Sequence, residues 1–150
     1  MKYFYNPFSP NCRKTTALID HLGIEAEKIV IDLPKGEQMK PEFLAINPNG
    51  MVPTLSDGET VVTESNAIMI YLAEKMGSQL WPRGPSRNKV LEWMFWEQSH
   101  FMFACGTVFF ERMIKPMLGQ EADEVRVEEA IKKFRRHAKV LNAALDGERY

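Results

Sequence analysis

The chain has 150 residues, and its composition excludes several classes of protein. Hydrophobic residues make up 45% and charged residues 26%, which is typical of a globular chain with a packed core. A net charge of -1 argues against a general binder of nucleic acid or anionic membranes, because both functions need a positive field. No apolar run approaches the roughly 20 residues of a membrane helix, and no signal peptide is evident. We therefore expect a cytoplasmic protein.

The first half of the chain alternates short strands with helices. The predicted elements are a strand at 2–5, a helix at 11–23, a strand at 28–31, a short helix opening at 41, a hairpin at 54–63 and a helix at 65–77. The apolar run at 28–31 favours a strand buried within a sheet. A strand–helix–strand start implies a parallel pair with a right-handed crossover. These patterns predict an α/β fold.

The second half of the chain contains only helical patterns. Residues 78–88 are rich in Pro, Gly and Ser and are predicted to form a linker. One long helix is expected over 90–118, and a second, with one apolar stripe, over 121–145. The predicted organisation is a first domain at 1–77, the linker, and a helical domain at 89–150. Two helices bury only one face each, so this domain looks incomplete.

Two neighbouring stretches in the first domain suggest a binding site. The Val52-Pro53 step follows a glycine-containing turn and is a candidate for a cis peptide bond. That bond would turn the backbone of Val52 away from the sheet, where an extended peptide can pair with it. Glu64-Ser65 lies where a strand gives way to a helix, and a helix N-terminus favours anions. Together the stretches predict a site for a small anionic peptide.

A serine occupies the start of the first helix. In redox folds of this element order a C-x-x-C motif stands there, but Ser9 replaces its first cysteine and Cys12 cannot form the internal disulfide. Two isolated cysteines are also too few for a zinc site, so no metal is expected. No histidine is near Ser9 in sequence to act as its base. The hydroxyl can instead donate to a ligand thiolate and lower the pKa of that thiol.

Several motifs in residues 1–76 together resemble the cytosolic glutathione transferase family. They are Ser9-Pro10-Asn11, Gly36-Glu37-Gln38, Pro41-Glu42-Phe43-Leu44, Asn47-Pro48-Asn49-Gly50, Val52-Pro53-Thr54-Leu55, Glu64-Ser65 and Ile70-Tyr71-Leu72-Ala73-Glu74. Residues 87–118 are similar to the first helix of that family's helical domain, in a bacterial serine- or asparagine-type subgroup (nu- or theta-like). The resemblance implies a thioredoxin-like βαβαββα domain and an all-α domain. Family members continue with more helices, so the chain is expected to be a fragment or a curtailed protein.

The resemblance also implies roles for residues at the thiol end of glutathione. Ser9 would donate its hydroxyl to the glutathione sulfur, and Asn11 would be a second polar contact and catalytic residue. Val52, before the cis Pro53, would pair through its backbone with the cysteinyl unit. Cys12 is either a small apolar filler or a thiol that forms a mixed disulfide with glutathione.

Further residues are implied at the two other ends of the ligand. Glu64 would take the γ-glutamyl ammonium, and Ser65 with the helix amides would take its carboxylate. Gln38 matches a contact to the glycyl end. Met51 stands where many family members carry a lysine or glutamine, and Lys40 or Lys35 can compensate for it. Lys133 falls where nu-like members have a basic residue that reaches a glutathione of the partner subunit.

The function implied is that of a glutathione transferase, which conjugates glutathione, as co-substrate, to a small hydrophobic electrophile. Two alternatives remain open: a glutathione-dependent disulfide reductase, and a glutathione-binding module without activity. The family also implies a homodimer. Incomplete packing predicts exposed apolar side chains on the helices after residue 87, which would favour self-association.

Overall fold

The computed structural model describes residues 1–146. Residues 147–150, the last part of the predicted helical domain, lie outside the described part. The chain divides into two compact units, one from Met1 to Arg87 and one that begins at Asn88. This boundary falls within the segment predicted as a linker. Within the described residues, no helix is long and apolar enough to cross a membrane.

The first unit is built around a four-stranded mixed sheet. Its elements are β1 (Lys2–Tyr5), α1 (Pro10–His21), β2 (Glu27–Val30), a 3₁₀ turn (Glu37–Met39), α2 (Pro41–Leu44), β3 (Thr54–Asp57), β4 (Thr60–Thr63) and α3 (Ser65–Lys75). The strand order is β2-β1-β3-β4. Strands β1 and β2 are parallel, whereas β1 with β3 and β3 with β4 are antiparallel. The thioredoxin-like βαβαββα arrangement is therefore confirmed.

Both faces of the sheet are covered, because successive side chains of β1 point to opposite faces. Tyr3 belongs to the larger core, together with Leu55 of β3 and with buried residues that α1 and α3 supply: Leu18, Ile19, Ile68 and Leu72. Phe4 belongs to the smaller core with Ile31 and Phe43, and its ring meets that of Phe43 edge to face at 5.9 Å. Each fully buried Leu or Ile side chain contributes about 2 kcal/mol to folding.

The prediction that the second strand is buried is wrong. Strand β2 pairs only with β1 and forms one edge of the sheet. Val30 is 54% exposed, and Ile29 is only half-buried. Ile31, one residue beyond the strand, is the side chain that enters the smaller core. The apolar run at 28–31 therefore belongs to an edge strand, and the strongly buried residue, Ile31, is the one that follows the strand.

The helical unit consists of one interrupted helical path followed by a separate long helix. The path runs through α4 (Pro85–Trp96), a π-helical segment (Glu97–Phe101), α5 (Met102–Phe109), a second π-helical segment (Phe110–Ile114) and α6 (Lys115–Met117). The long helix is α7 (Glu124–Leu145), capped by Asp123, whose Oδ1 accepts the backbone N–H of Arg126 at 3.1 Å. The two predicted helices are present, but neither π-helical segment was predicted.

A buried carboxylate ties the two helices of this unit together. Glu111 lies in the second π-helical segment and is 0% exposed. It accepts the backbone N–H of Asp123 at 2.9 Å and pairs with Lys115 at 2.6 Å and with Arg126 at 3.3 Å. The Asp123 N–H, followed by the Lys115 ammonium, holds the pKa of this carboxyl below its usual range. Glu111 therefore fixes the end of the first helical path against the start of α7.

The helical unit exposes large apolar side chains, as the sequence predicted. Phe95, Phe103 and Met117 are each at least 65% exposed. A groove of about 610 Å³ lies between α5 and α7. Its lining includes Cys105, Val108, Phe109, Met113, Ile131 and Phe134. These helices therefore expose several large apolar side chains.

Candidate functional site

Four loops of the first unit meet at one edge of the sheet. Because β1 and β2 are parallel, with Tyr5 opposite Val30, the segments that follow them leave at the same edge. Strand β3 is antiparallel to both of its neighbours. Thr54, at the start of β3, therefore lies opposite Phe4 near the end of β1 and opposite Thr63 at the end of β4. The segments after β1, after β2, before β3 and after β4 are therefore neighbours. Eight of the nine predicted site residues lie on these four segments.

Ser9 is the N-cap of α1. Its backbone is extended, with φ -72° and ψ 121°, and Pro10 occupies the first helical turn. The Oγ atom of Ser9 accepts the backbone N–H of Cys12 at 3.4 Å. This cap uses a lone pair of the oxygen, so the hydroxyl hydrogen remains available for a ligand. The helix N-terminus adds a partial positive charge at the same place.

The loop that carries Ser9 is held by Asn6, which no sequence pattern singled out as a functional residue. Asn6 is 6% exposed, and its Nδ2 donates to the carbonyl of Ile31 at 2.9 Å. Its Oδ1 accepts the N–H of Phe8 at 3.0 Å, and its carbonyl accepts the N–H of Ser9 at 3.1 Å. An Asn-Pro pair directly after a strand was the available signal.

Cys12 is a buried filler rather than an exposed thiol. The residue is 0% exposed, and its Sγ accepts the backbone N–H of Asn6 at 3.4 Å. Burial raises the pKa of the Cys12 thiol, an effect that the hydrogen bonds from Ser9 and Asn6 only partly offset. A raised pKa leaves less of the nucleophilic thiolate near neutral pH. The first of the two expectations for this residue is therefore favoured.

We expect a thiol-specific reagent to leave Cys12 unmodified in the folded protein near neutral pH. Cys105 is only partly buried, so it should account for the reaction that occurs. The rate of modification, followed by absorbance, should be unchanged in Cys12→Ala and nearly abolished in Cys105→Ala. Denaturant should restore reaction at both cysteines. Rapid labelling of Cys12 in native Cys105→Ala would contradict this account.

Two predicted site residues, distant in sequence, are hydrogen-bonded to each other. Ser65, at the first position of α3, is 4% exposed. Its Oγ donates to Oδ1 of Asn11, in the first turn of α1, at 3.3 Å. The bond joins the N-terminal ends of two helices that pack on the same face of the sheet. The predicted contacts for the thiol and for the glutamyl carboxylate are therefore directly linked.

Glu64 has an unusual backbone conformation. Its φ is +67° and its ψ is 121°, and no other non-glycine residue of the described chain has a positive φ. Such a conformation costs on the order of 1–3 kcal/mol and is found most often at functional sites. The carbonyl of Glu64 accepts the N–H of Ile68 at 2.9 Å, while its carboxylate is exposed. The strained residue therefore begins α3 and keeps an accessible negative charge.

The Val52–Pro53 peptide bond is cis, as predicted. Pro53 is buried and Val52 half-buried. Within residues 1–146, the backbone N–H and C=O of Val52 form no hydrogen bond with another backbone group. An extended ligand can therefore pair with them.

The loop before β3 is anchored by Asn47, a second residue whose role the sequence analysis missed. Asn47 is 1% exposed, and its Nδ2 donates to the carbonyl of Met51 at 2.8 Å and to Oγ1 of Thr54 at 3.0 Å. Its Oδ1 accepts the N–H of Asn49 at 3.1 Å. One buried amide thus fixes both ends of the loop that contains Val52.

Gln38 lies against this same loop. Gly50 has φ +60°, and a Cβ at this position would lie 3.2 Å from the carbonyl oxygen of Gln38 and 2.8 Å from Sδ of Met39. The side-chain Oε1 of Gln38 is buried and has no hydrogen-bond partner among residues 1–146. Lys40, which follows the 3₁₀ turn, is exposed and pairs with Glu37 at 3.2 Å. The structure therefore brings Gln38 against Gly50, in the loop that carries Val52, and places a cation two residues after Gln38.

Lys133 belongs to the helical unit, unlike the other predicted site residues. It is exposed on α7 and lines a groove of about 450 Å³ together with Trp96, His100 and His137. The rings of the two histidines stack with their centroids 5.5 Å apart. The role of Lys133 toward a partner subunit stays a prediction.

The site in the first unit offers a specific set of contacts. It has a hydroxyl donor at one helix N-terminus (Ser9), backbone groups without a backbone partner (Val52), and an exposed carboxylate beside a second helix N-terminus (Glu64-Ser65). A carboxylate can bind an ammonium group, and a helix N-terminus can bind a carboxylate. The arrangement suits a short peptide with a thiol and a free α-amino acid end.

Comparisons with known proteins identify the same family. Residues 8–75 match the family described as "Glutathione S-transferase, N-terminal domain". Glutathione S-transferase 3 of Zea mays is 34% identical over 149 residues, covering 97% of this chain and 64% of that protein. Probable glutathione S-transferase GSTF2 of Oryza sativa subsp. japonica is 32% identical over 148 residues, covering 97% and 69%. Maize glutathione S-transferase I, solved in complex with an atrazine glutathione conjugate, has a TM-score of 0.87 at 29% identity, covering 99% and 71%.

The lengths and sources of these relatives show how far the similarity extends. The chain spans about two thirds of the length of the curated relatives, 64% and 69% of them. The relatives and the maize structure are plant proteins, and therefore do not support the bacterial subgroup predicted from the sequence. The match extends over both units, since it covers 97% of the chain. The chain belongs to the glutathione S-transferase family.

Proposed function

We propose that this chain binds glutathione and conjugates it to a small hydrophobic electrophile. The observation that carries the proposal is the position of the Ser9 hydroxyl at the start of α1. It lies at the sheet edge that also holds the unpaired Val52 backbone and the Glu64-Ser65 start of α3. The maize relative solved with a glutathione conjugate supports this function.

The first domain, residues 1–77, would bind the tripeptide along the sheet edge. Ser9 donates to the sulfur, and the backbone of Val52, before Pro53, pairs with the cysteinyl unit. Glu64 binds the γ-glutamyl ammonium, while the start of α3 at Ser65 binds the carboxylate. The support is that these groups lie on adjoining loops, with Glu64 exposed and with Ser9 and Val52 half-buried.

The glycyl end would lie toward the 3₁₀ turn. Gln38 packs against the loop that carries Val52, and Lys40 provides an exposed ammonium nearby. A glycyl carboxylate would compete with Glu37 for Lys40. Met51, where many relatives of this kind carry a lysine or glutamine, is 64% exposed and offers no charge. Lys40 therefore provides the cation that position 51 lacks.

The reaction proposed is a nucleophilic substitution by the glutathione thiolate. The thiol first loses its proton to water, and the Ser9 hydroxyl hydrogen bond stabilises the resulting anion. The sulfur then forms a bond to the electrophilic carbon, and the displaced group leaves with the electron pair of its bond. The protein contributes binding, orientation and electrostatic stabilisation, and forms no covalent intermediate.

The class of the second substrate is proposed from the helical unit. Its exposed aromatic and methionine side chains and its apolar groove would favour hydrophobic compounds of varied shape. A homodimer in which Lys133 reaches the partner's glutathione, and a cytoplasmic location, are further proposals that rest on the family.

A glutathione-dependent disulfide reductase is the second candidate. A route through Cys12 is disfavoured, because this thiol is buried and its pKa is raised. A route that uses two glutathione molecules needs no protein thiol, and it is distinguished by assaying a small model disulfide beside a chlorinated aromatic substrate. Turnover of neither substrate, with glutathione bound, would indicate a module without activity.

Replacing Glu64 with Ala should weaken glutathione binding by roughly tenfold, because an ammonium–carboxylate hydrogen bond is lost. Isothermal titration calorimetry of the whole chain measures this affinity. Glu59→Ala is the matched control, since Glu59 is an exposed glutamate in the turn between β3 and β4, and it should leave the affinity unchanged. Absence of glutathione binding by the unsubstituted chain would refute the proposed function. Equal affinities of both variants would remove Glu64 from the site.

A further inference from the structure

Two histidines meet where the first π-helical segment packs against α7. His100 belongs to that segment, Glu97–Phe101, and His137 belongs to the second half of α7. Their rings stack with the centroids 5.5 Å apart and the planes 22° from parallel. Segments of π-helix occur frequently at functional sites. The contact joins the irregular part of the first helical path to α7 through two ionisable rings.

The ring of Trp96 contacts both imidazoles. Its centroid lies 5.9 Å from that of His137, with the planes at 85°, and 6.5 Å from that of His100. Trp96 and His137 are half-buried, whereas His100 is exposed. Burial beside aromatic rings removes water from the charged form of His137 and disfavours that form.

The charges beside the pair are positive. Lys133 and Arg136 line the groove that contains both histidines, and none of the described residues that line it carries a carboxylate. On α7, no acidic residue lies within seven positions of His137. Helix α5, which borders the groove through Phe103, contains no charged residue. A proton added to either imidazole is therefore repelled by cations, and no carboxylate of the groove offsets it.

The acids on the neighbouring segments are Glu92 and Glu97. Glu92 of α4 pairs with Lys89 at 3.0 Å. Glu97 lies in the same π-helical segment as His100, and its charge contributes to the raised pKa of Cys105. Neither acid is among the residues that line the groove.

We infer that His100 and His137 form a pH-sensitive latch between the first π-helical segment and α7. Histidine changes its charge between about pH 5 and 8, so the rings gain protons when the pH falls through this range. Two such charges 5.5 Å apart repel each other, and Lys133 and Arg136 repel both. Acidification therefore separates the stacked rings and releases the π-helical segment from α7. The latch belongs wholly to the helical unit, and it goes beyond the glutathione site proposed for the first unit.

The direction of the pH effect follows from His137. Burial, the charge of His100 and that of Arg136 lower the pKa of His137. The folded chain therefore binds this proton less readily than the unfolded chain does. The stabilising contribution of the pair is present above the ordinary histidine pKa of about 6.5, and it is lost as the pH falls through the lower pKa of the folded state. Glu111, whose pKa lies below its usual range, stays charged at about pH 5.5 and still holds the start of α7.

Hydrogen exchange of the whole chain, corrected for the intrinsic effect of pH on amide exchange, tests the latch. Protection of the amides in residues 97–101 and around His137 should fall roughly tenfold between about pH 8 and about pH 5.5, the factor expected for two like charges that face each other near a protein surface. The start of α7 should stay protected. In the double variant His100→Gln/His137→Gln the fall should be absent, because glutamine does not titrate. Nuclear magnetic resonance of His100→Gln should show a higher pKa for His137, since one neighbouring charge is gone.

His21→Gln is the matched control, because His21 is an exposed histidine at the end of α1, in the first unit. Its removal should leave the fall in protection unchanged. If the double variant does not fold, as judged by circular dichroism, His100→Gln replaces it, since His100 is exposed, and the fall should then be smaller than in the unsubstituted chain. The latch is overturned if protection does not fall in the unsubstituted chain, or if it falls equally in that chain and in the variant that replaces the pair.

Discussion

Replacing Ser9 with Ala is expected to lower kcat/KM for glutathione conjugation by roughly 10- to 100-fold, with little change in glutathione affinity. The size follows from the loss of one hydrogen bond to a charged group, about 1.5–3 kcal/mol. The Ser9 oxygen already accepts the Cys12 N–H, which holds its hydroxyl at the start of α1. The Ser9 hydroxyl hydrogen stabilises the glutathione thiolate more than the neutral thiol. The effect should therefore fall on the reaction rather than on binding.

The measurement is steady-state conjugation with a chlorinated aromatic substrate, together with calorimetric binding of glutathione. Ser9→Thr is the matched control, because threonine retains a hydroxyl that can both cap the helix and donate. Loss of the cap in Ser9→Ala should also lower the free energy of unfolding by about 1 kcal/mol. Circular dichroism would show whether the variant remains folded under assay conditions. A folded Ser9→Ala variant with an unchanged rate would exclude Ser9 as the thiolate donor.

Replacing Asn47 with Ala is expected to lower the free energy of unfolding by about 3 kcal/mol. Asn47 is 1% exposed and makes three hydrogen bonds through its side chain. Its removal leaves a cavity and takes the amide donor away from the buried Thr54 hydroxyl, which keeps its own bond to Met51. The loop before Val52 then loses the anchor at both of its ends. Glutathione affinity should fall as well, since the Val52 backbone is positioned by this loop.

Chemical denaturation measures the stability, and calorimetry measures the remaining affinity at a temperature where the variant is folded. Asn49→Ala is the control in the same loop, because the Asn49 side chain is exposed and only its backbone N–H is used. It should change the free energy of unfolding by less than about 0.5 kcal/mol. Equal effects of the two substitutions would show that the buried amide of Asn47 has no special part in the loop.

Much of the first unit could be predicted from the sequence, because local patterns determine its elements. The boundaries of β1, β4 and α3 agree with the patterns to within two residues. The cis bond was indicated by Val52-Pro53 after a glycine-containing turn, and the position of Ser9 by its place before the first helix. These signals are local and need no knowledge of neighbouring strands.

What could not be predicted depends on contacts between distant segments. The edge position of β2 follows from the strand order, which no property of residues 28–31 reveals. The importance of Asn6 and Asn47 comes from burial against Ile31 and Thr54, whereas the sequence shows only asparagines beside prolines. The hydrogen bond of Ser65 to Asn11 spans two helix starts. Buried polar groups of this kind require the tertiary structure.

The helical unit also contains features that could not be predicted from the sequence. Apolar periodicity predicted two helices, but the π-helical segments at Glu97–Phe101 and Phe110–Ile114 leave no simple signal in it. Glu111, an ionisable residue in a helical stretch, was not singled out, although it is fully buried between Lys115 and Arg126. Periodicity reports which side of a helix is apolar and not which charge is enclosed when two helices pack.

The proposed function requires that this chain binds glutathione and favours its thiolate. A pH titration of the thiolate absorbance of glutathione, with the whole chain in excess, tests it directly. We predict that the bound thiol ionises at a lower pH than the free tripeptide, and that Ser9→Ala moves the titration back toward the free value. A thiol that titrates as it does in water, in the presence of saturating protein, would contradict the account.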